Sequence, residues 1–219
     1  FHADMENGRI VGKPYRVEWV DVPDPDHNDD TDNRTDRVPG FIPTRIQAQD
    51  RGAAWFEKME GIWADDSRGG DDDDDDERAR KVFTARTDGG PINKGAVWEY
   101  DPRRETLTMI YASTDAAHLE NPDNVVIVPQ TGDIFVQEDG PDTEHFVRGI
   151  TQDGEIYDFC RSLSNTTEFC GGCFDPDGHT LYVNQQGERG ATPDGPAGEF
   201  AVTYAIYGPF GKVRGRGRD

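Results

Sequence analysis

The sequence predicts an all-β chain, a β-propeller or a portion of one, with one short helix and acidic surface loops. Short apolar or alternating runs recur from residue 61 onward, and long helical periodicity is nearly absent. The runs fall into sets of about four that repeat every roughly 40–50 residues, which is typical of propeller blades. A β-sandwich is the alternative architecture. We expect residues 1–219 to form a single propeller domain or propeller portion.

Eleven predicted strands make up three sets. They lie at 61–65, 81–87, 96–102 and 106–113, then at 125–130, 133–139, 145–151 and 155–161, and finally at 171–176, 180–186 and 200–208. Hairpin turns ending in glycine are predicted at 130–132, 152–154 and 176–178. Because a closed ring has about four to eight blades, three sets are few for a complete propeller.

The segments around the first set have different patterns. Residues 16–22 alternate like a strand, and residues 45–61 form the one plausible helix, with scattered apolar positions and a final glycine. Two acidic insertions have neither a strand nor a helix pattern. Residues 23–37 have almost no apolar residue, and residues 69–80 contain a run of aspartates. We expect the first insertion to be a solvated loop and the second an exposed hairpin tip.

Charge is the strongest compositional signal. The chain has 44 acidic and 23 basic residues, a formal net charge of -21, and only five lysines. Such a field opposes nucleic acid, whose phosphates require clustered Lys and Arg. It favours a protein from a high-salt organism, because salt screens the self-repulsion of an acidic surface. No apolar run approaches the roughly 20 residues of a membrane helix, so no membrane span is expected.

Carboxylates recur in phase with the predicted sets. Glu60 comes just before the first strand of set one, Glu120, Asp123 and Asn124 come before that of set two, and Glu168 comes before that of set three. In a propeller, the residues that precede the first strand of each blade lie close to the central channel. Calcium takes six to eight oxygen ligands, mainly carboxylates and carbonyls. We therefore predict a calcium site from these residues, although each acid alone could be a solvated or turn-capping residue.

Two of the three cysteines form a Cys-x-x-Cys at Cys170 and Cys173. A redox pair of this kind begins a helix, whereas here a strand and hairpin follow. Residues three apart in a strand point to opposite faces, which disfavours a mutual disulfide. We expect two buried packing residues, and the alternative is a bridge from Cys160 to one of them.

The ordered motifs resemble the PhoX-type alkaline phosphatase-like family. They read "RVEWVDVPDPD", "MEGIW", "GAVWEYDP", "ENPDN", "VQEDG" and "EFCGGCFDPDGHTLYVNQQ", and they span almost the whole chain apart from the acidic insertions. The resemblance implies a secreted β-propeller that hydrolyses phosphate monoesters with calcium and iron. It implies that Glu138 and Asp139 are further metal ligands. It also implies an N-terminal half, or a second chain, that completes the propeller.

In this interpretation Glu60 and Glu168 are the catalytic candidates, and metal ions would offset phosphate charge and activate an attacking water. Arg86 and Arg148 are of the right type to clamp phosphate, but we expect both to be ordinary surface residues. The alternative function is a non-catalytic propeller that serves as a binding or assembly subunit of a larger extracellular complex. Either protein is expected outside the cell, in the periplasm or at the cell surface.

Overall fold

The computed structural model describes residues 3–5, 9–25, 42–65, 81–140, 144–163, 166–188 and 200–211. Residues 26–37 of the first acidic loop and all of the second, 69–80, lie outside these ranges. Among the described residues, no helix is long and apolar enough to cross a membrane.

The described chain is all-β apart from one short helix. The helix α1 spans Thr44–Asp50. The strands are β1 (Pro14–Arg16), β2 (Met59–Ala64), β3 (Val82–Arg86), β4 (Ala96–Asp101), β5 (Thr106–Ala112), β6 (Pro122–Ile127), β7 (Ile134–Glu138), β8 (Phe146–Ile150), β9 (Ile156–Arg161), β10 (Phe169–Phe174), β11 (Thr180–Gln185) and β12 (Val202–Tyr207). All eleven strands predicted from residue 61 onward are confirmed.

The three predicted sets correspond to three antiparallel sheets. Sheet 1 has the order β1-β5-β4-β3-β2, sheet 2 the order β6-β7-β8-β9, and sheet 3 the order β10-β11-β12. Apart from β1, every strand therefore pairs with its neighbour along the chain, as the turn residues predict. None of the sheets closes on itself within the described residues.

Apolar side chains hold the sheets face to face. One core lies between sheets 1 and 2, and its members include Phe83, Val97, Val125, Ile134 and Val136. A second core lies between sheets 2 and 3, with Val126, Phe135, Val147, Phe169 and Leu181 among its members. Sheet 2 is thus covered on both faces, and its first strand β6 contacts both β2 and β10.

The far face of sheet 1 is covered by segments from outside the three sets. Met5, Trp98 and Met109 form a third core there, and Phe56 packs edge-on against Trp98 with ring centroids 5.5 Å apart. The chain before β2 therefore packs onto this sheet and continues its core.

The predicted helix at 45–61 is wrong in its length. The helix ends at Asp50, and Gly52 has a φ of 94°, which ends helical geometry. The following segment then pairs with the N-terminal segment, since the Trp55 N–H donates to the Ala3 carbonyl at 2.9 Å. By Met59 the chain is already in β2, opposite Arg86.

The predicted strand at 16–22 is also displaced. The observed β1 covers only Pro14–Arg16 and pairs with the first three residues of β5. One further bond joins the Val17 N–H to the Glu105 carbonyl at 2.8 Å. Glu105 has a φ of 49° in the turn before β5, so the partner strand ends there, and residues 18–22 are in none of the strands of the described part of the chain.

Candidate functional site

Strand β2 of sheet 1 and strand β6 of sheet 2 meet at Gly61. A Cβ atom at this glycine would lie 2.7 Å from the Cα of Asn124 and 2.8 Å from the Asp123 carbonyl oxygen. Such distances are shorter than real Cβ contacts, so only glycine permits this backbone approach. The approach places Glu60, the residue before Gly61, beside the start of β6.

Four acidic side chains gather at this junction, and we call them the carboxylate cluster: Glu60 of sheet 1, Asp123 of sheet 2, Asp139 just after β7 of sheet 2, and Glu168 just before sheet 3. Burial raises the pKa of Asp123, and the nearby charges of Glu60 and Asp139 raise it further. The recurrence of acids at the start of each predicted strand set predicted Glu60, Asp123 and Glu168, and the family resemblance implied Asp139. Their roles as ligands or catalytic groups stay a prediction.

Glu168 and Asp139 are hydrogen-bonded to each other within the cluster. Burial raises the pKa of Glu168 to about 7, and the hydrogen bond to Asp139 and the charges of Asp139, Asp123 and Glu60 act in the same direction. A bond between two carboxyl groups requires one proton, because an ionised carboxylate has no donor. At neutral pH this pair therefore takes up and releases a proton readily.

Thr87 fixes the two loops that lead into Glu60 and Asp123. Its N–H donates to the Lys58 carbonyl at 3.1 Å, and its hydroxyl donates to the Pro122 carbonyl at 3.1 Å. Its own carbonyl accepts from Nδ2 of Asn121 at 3.0 Å. Lys58 and Asn121 both have positive φ, 47° and 49°, so these bonds hold two unusual backbone conformations next to the cluster.

Two of the predicted metal ligands, Glu120 and Glu138, are paired with the cationic residues Lys94 and Arg148. Glu138 is 3% exposed and accepts from Arg148 Nε at 3.0 Å and from the Glu120 N–H at 2.9 Å. Glu120 is paired with Lys94. Burial raises the pKa of Glu138 to about 7, while the bonds to Glu120 and Arg148 oppose that rise. These contacts link the β6–β7 region together.

The expectation that Arg86 and Arg148 are surface residues is wrong. Arg86 is 1% exposed, and its Nε donates to the Glu57 carbonyl at 3.2 Å. Arg148 is 3% exposed and bonds Glu138 and Asp158 over the ring of Phe146. A phosphate in solvent reaches neither guanidinium.

Lys58 is a cation at the edge of the cluster that the sequence reasoning missed. Its side chain is 58% exposed, its Nζ lies 3.4 Å from Asp88 Oδ2, and its charge lowers the pKa of Asp123. The sequence signal that could have indicated Lys58 is its position two residues before Glu60, in a chain with only five lysines.

The interpretation of Cys170 and Cys173 as buried packing residues is wrong. Cys173 is exposed, Cys170 is half-buried, and both are free thiols, as is Cys160. A β-bulge at Gly171, between Cys170 and Gly172, shifts the alternation of β10. The two cysteines therefore pair with Asn184 and Tyr182, which lie two residues apart, and share one face of the sheet.

The side chains of the carboxylate cluster are of the type that binds hard cations such as calcium. Its donors are carboxylate oxygens, and their mutual repulsion would be relieved by a positive ion. Among the described residues, however, no group of three or more His, Cys, Asp or Glu side chains is arranged so that it could hold a metal ion. A cation would have to draw the four carboxylates together.

The chain matches a known protein-family model. The family model described as "Alkaline phosphatase PhoX" matches residues 5–188, which include every residue of the carboxylate cluster. No curated protein matches the chain, and no solved structure matches it.

Proposed function

Because the chain belongs to the PhoX alkaline phosphatase family, we propose that it hydrolyses phosphate monoesters at the carboxylate cluster. One observation supports this placement above the others. Acidic side chains from sheet 1, from sheet 2 and from the residue that precedes sheet 3 meet there, and the pKa of Glu168 lies close to neutrality through burial and its neighbours. Paired carboxyl groups of this kind are common in sites that move protons.

Calcium is the cofactor that we propose, with iron as a second metal. Glu60, Asp123, Asp139 and Glu168 would hold the cation, and Asn124 would contribute an amide oxygen. When bound, the metal would supply positive charge against the phosphate oxygens and a lower pKa for a water molecule.

The chain's own residues would act on the substrate as follows. Lys58, exposed at the edge of the cluster, would attract the phosphate and oppose its charge. Glu168, the first catalytic candidate, would act as a general base and accept a proton from the attacking water. Glu60, the second candidate, would orient that water from the opposite sheet.

We propose a β-propeller as the complete architecture, with the three sheets as blades. The support comes from the order of contacts, since β6 touches both β2 and β10, and each of these three strands is the first in one of the three sets of consecutive strands. First strands line the channel of a propeller. The remaining blades would come from further sequence or from a second chain.

The site of action that we propose is outside the cell or at the cell surface of a high-salt organism. The net charge of -21 and the scarcity of lysine support the high-salt setting. The family membership supports export.

Turnover of p-nitrophenyl phosphate tests the proposal. We expect hydrolysis in calcium chloride and high salt, its loss in excess EDTA, and a loss of at least a hundredfold in kcat for Glu168→Gln. Glu18→Gln, an exposed matched variant, should leave kcat unchanged. Full activity of Glu168→Gln would refute the role of the cluster.

A non-catalytic binding propeller is the second candidate. It is favoured by the absence, within the described ranges, of a preassembled group of metal-binding side chains. A protein that binds calcium but turns over no phosphate ester under any of these conditions would support it.

A further inference from the structure

Gln137 is buried in the structure without a hydrogen-bond partner. Its side chain is 0% exposed, and neither Nε2 nor Oε1 has a partner. It lies on β7, which ends at Glu138, and Asp139 of the cluster is the next residue after that strand. Phe135, two residues before Gln137 and so on the same face of β7, belongs to the core between sheets 2 and 3. The amide therefore faces sheet 3, next along the strand to the cluster.

The neighbours of Gln137 connect it to the carboxylate cluster. Asn124 is its direct partner on β6, so their Cβ atoms lie about 5 Å apart on one face. Asn124 in turn donates from Nδ2 to Asp123 Oδ2 at 2.6 Å. On the opposite side, a Cβ atom at Gly172 would lie 3.3 Å from Gln137 Nε2. Two amides thus lie side by side, and one of them touches the cluster.

A second buried glutamine shows what a purely structural role looks like in this protein. Gln185 is 1% exposed, and its Nε2 donates to Ser162 Oγ at 3.0 Å and to the Thr167 carbonyl at 2.7 Å. Its Oε1 accepts from the Tyr204 hydroxyl at 3.0 Å. An amide buried without such bonds is unfavourable, because it has lost water and gained no partner. Gln137 is therefore disposed to bind a ligand.

We propose that Gln137 is a neutral oxygen ligand of a hard divalent cation held by the carboxylate cluster, with Asn124 beside it. The inference rests on the proposed function and names a residue that neither the sequence phase nor the resemblance indicated. Four carboxylates already repel one another, so a further acid would raise that repulsion. An amide oxygen adds coordination without adding charge, and calcium requires six to eight oxygens. An anion is disfavoured at this position by the same four acids.

Calcium titration of purified protein by calorimetry tests the inference, with Gln137→Met and Gln185→Met as the matched pair. Methionine has a similar volume and no strong donor or acceptor. Gln137→Met should weaken calcium binding at least tenfold, while its urea midpoint in EDTA stays equal to or above that of the wild type. Gln185→Met should lower the urea midpoint and leave calcium affinity within twofold.

A second variant keeps the test independent of folding. Gln137→Glu retains a carbonyl-type oxygen, so it should bind calcium at least as tightly as the wild type, yet it should unfold at lower urea in EDTA. Equal calcium affinity of Gln137→Met and wild type would overturn this inference and leave the proposed function intact. A wild type that binds no calcium would overturn both.

Discussion

Replacing Glu168 by glutamine should stabilise the protein in the absence of calcium, in a manner that depends on pH. The pKa of Glu168 is raised from its ordinary value of 4.5 to about 7 by burial, the bond to Asp139 and the surrounding charges. The fold therefore disfavours the ionised form. A carboxyl group with a raised pKa contributes fully to stability below about pH 4.5, and this contribution is lost as the pH rises through about 7. Glutamine stays neutral at every pH.

The magnitude follows from the size of the shift. One pKa unit corresponds to about 1.4 kcal/mol, so the shift sets an upper bound of about 3 kcal/mol at pH 8. Because Glu168 is only half-buried, solvent screening reduces this bound, and we expect about 1 kcal/mol. Glutamine can also donate to Asp139 and so preserves the hydrogen bond.

Urea unfolding at pH 8 and pH 4, in EDTA and constant salt, measures the effect. The variant should have the higher free energy of unfolding at pH 8 and about the same value as the wild type at pH 4. Glu18→Gln, at an exposed position, is the control and should show no difference at either pH. The reasoning is refuted if Glu168→Gln is less stable at pH 8, or if its effect is the same at both pH values.

Three further predictions concern the surroundings of the site. Gly61→Ala should cost about 1–3 kcal/mol in urea unfolding, because its Cβ would meet the Cα of Asn124 at 2.7 Å; an unchanged midpoint would contradict the close approach. Arg148→Met should cost about 3–5 kcal/mol at pH 8, because it leaves a buried carboxylate unpaired, and a cost below 1 kcal/mol would argue against that pair. Iodoacetamide should label exposed Cys173 in the native protein and leave Cys160 unlabelled, since burial raises the pKa of Cys160 to about 11; mass spectrometry reporting the reverse order would contradict the burial.

The strands were predictable because their signals are local. Alternation and glycine turns set both the strands and the pairing of neighbours, so three sheets could be predicted without long-range information. The length of the helix predicted at 45–61 was overestimated because the end of the helix depends on contacts that are distant in sequence. Its second half is set by contacts with the N-terminal segment and with Trp98, which no local pattern records.

The acidic residues of the candidate site could be predicted from the sequence, whereas the environment of Gln137 and of the cysteines could not. Glu60, Asp123 and Glu168 recur at the start of the three predicted strand sets; the structure places Glu60 and Asp123 near the start of β2 and β6 and Glu168 just before β10, and it brings the three together. The isolation of Gln137 depends on which groups surround a buried amide, and the sequence does not contain that information. The bulge that puts both cysteines on one face depends on a single residue of extra chain in β10.

The junction position of the cluster also has a consequence for the order of folding. Each sheet is assembled from consecutive strands, so its contacts are close in sequence and can form early. Asp123 and Asp139 belong to the β6–β7 region of sheet 2, whereas Glu60 lies in sheet 1 and Glu168 just before sheet 3, so the repulsion of Glu60 and Glu168 against the other acids arises only when preformed sheets dock. Calcium should therefore act late, by accelerating docking or slowing separation, while the hairpins themselves form at the same rate with or without the ion.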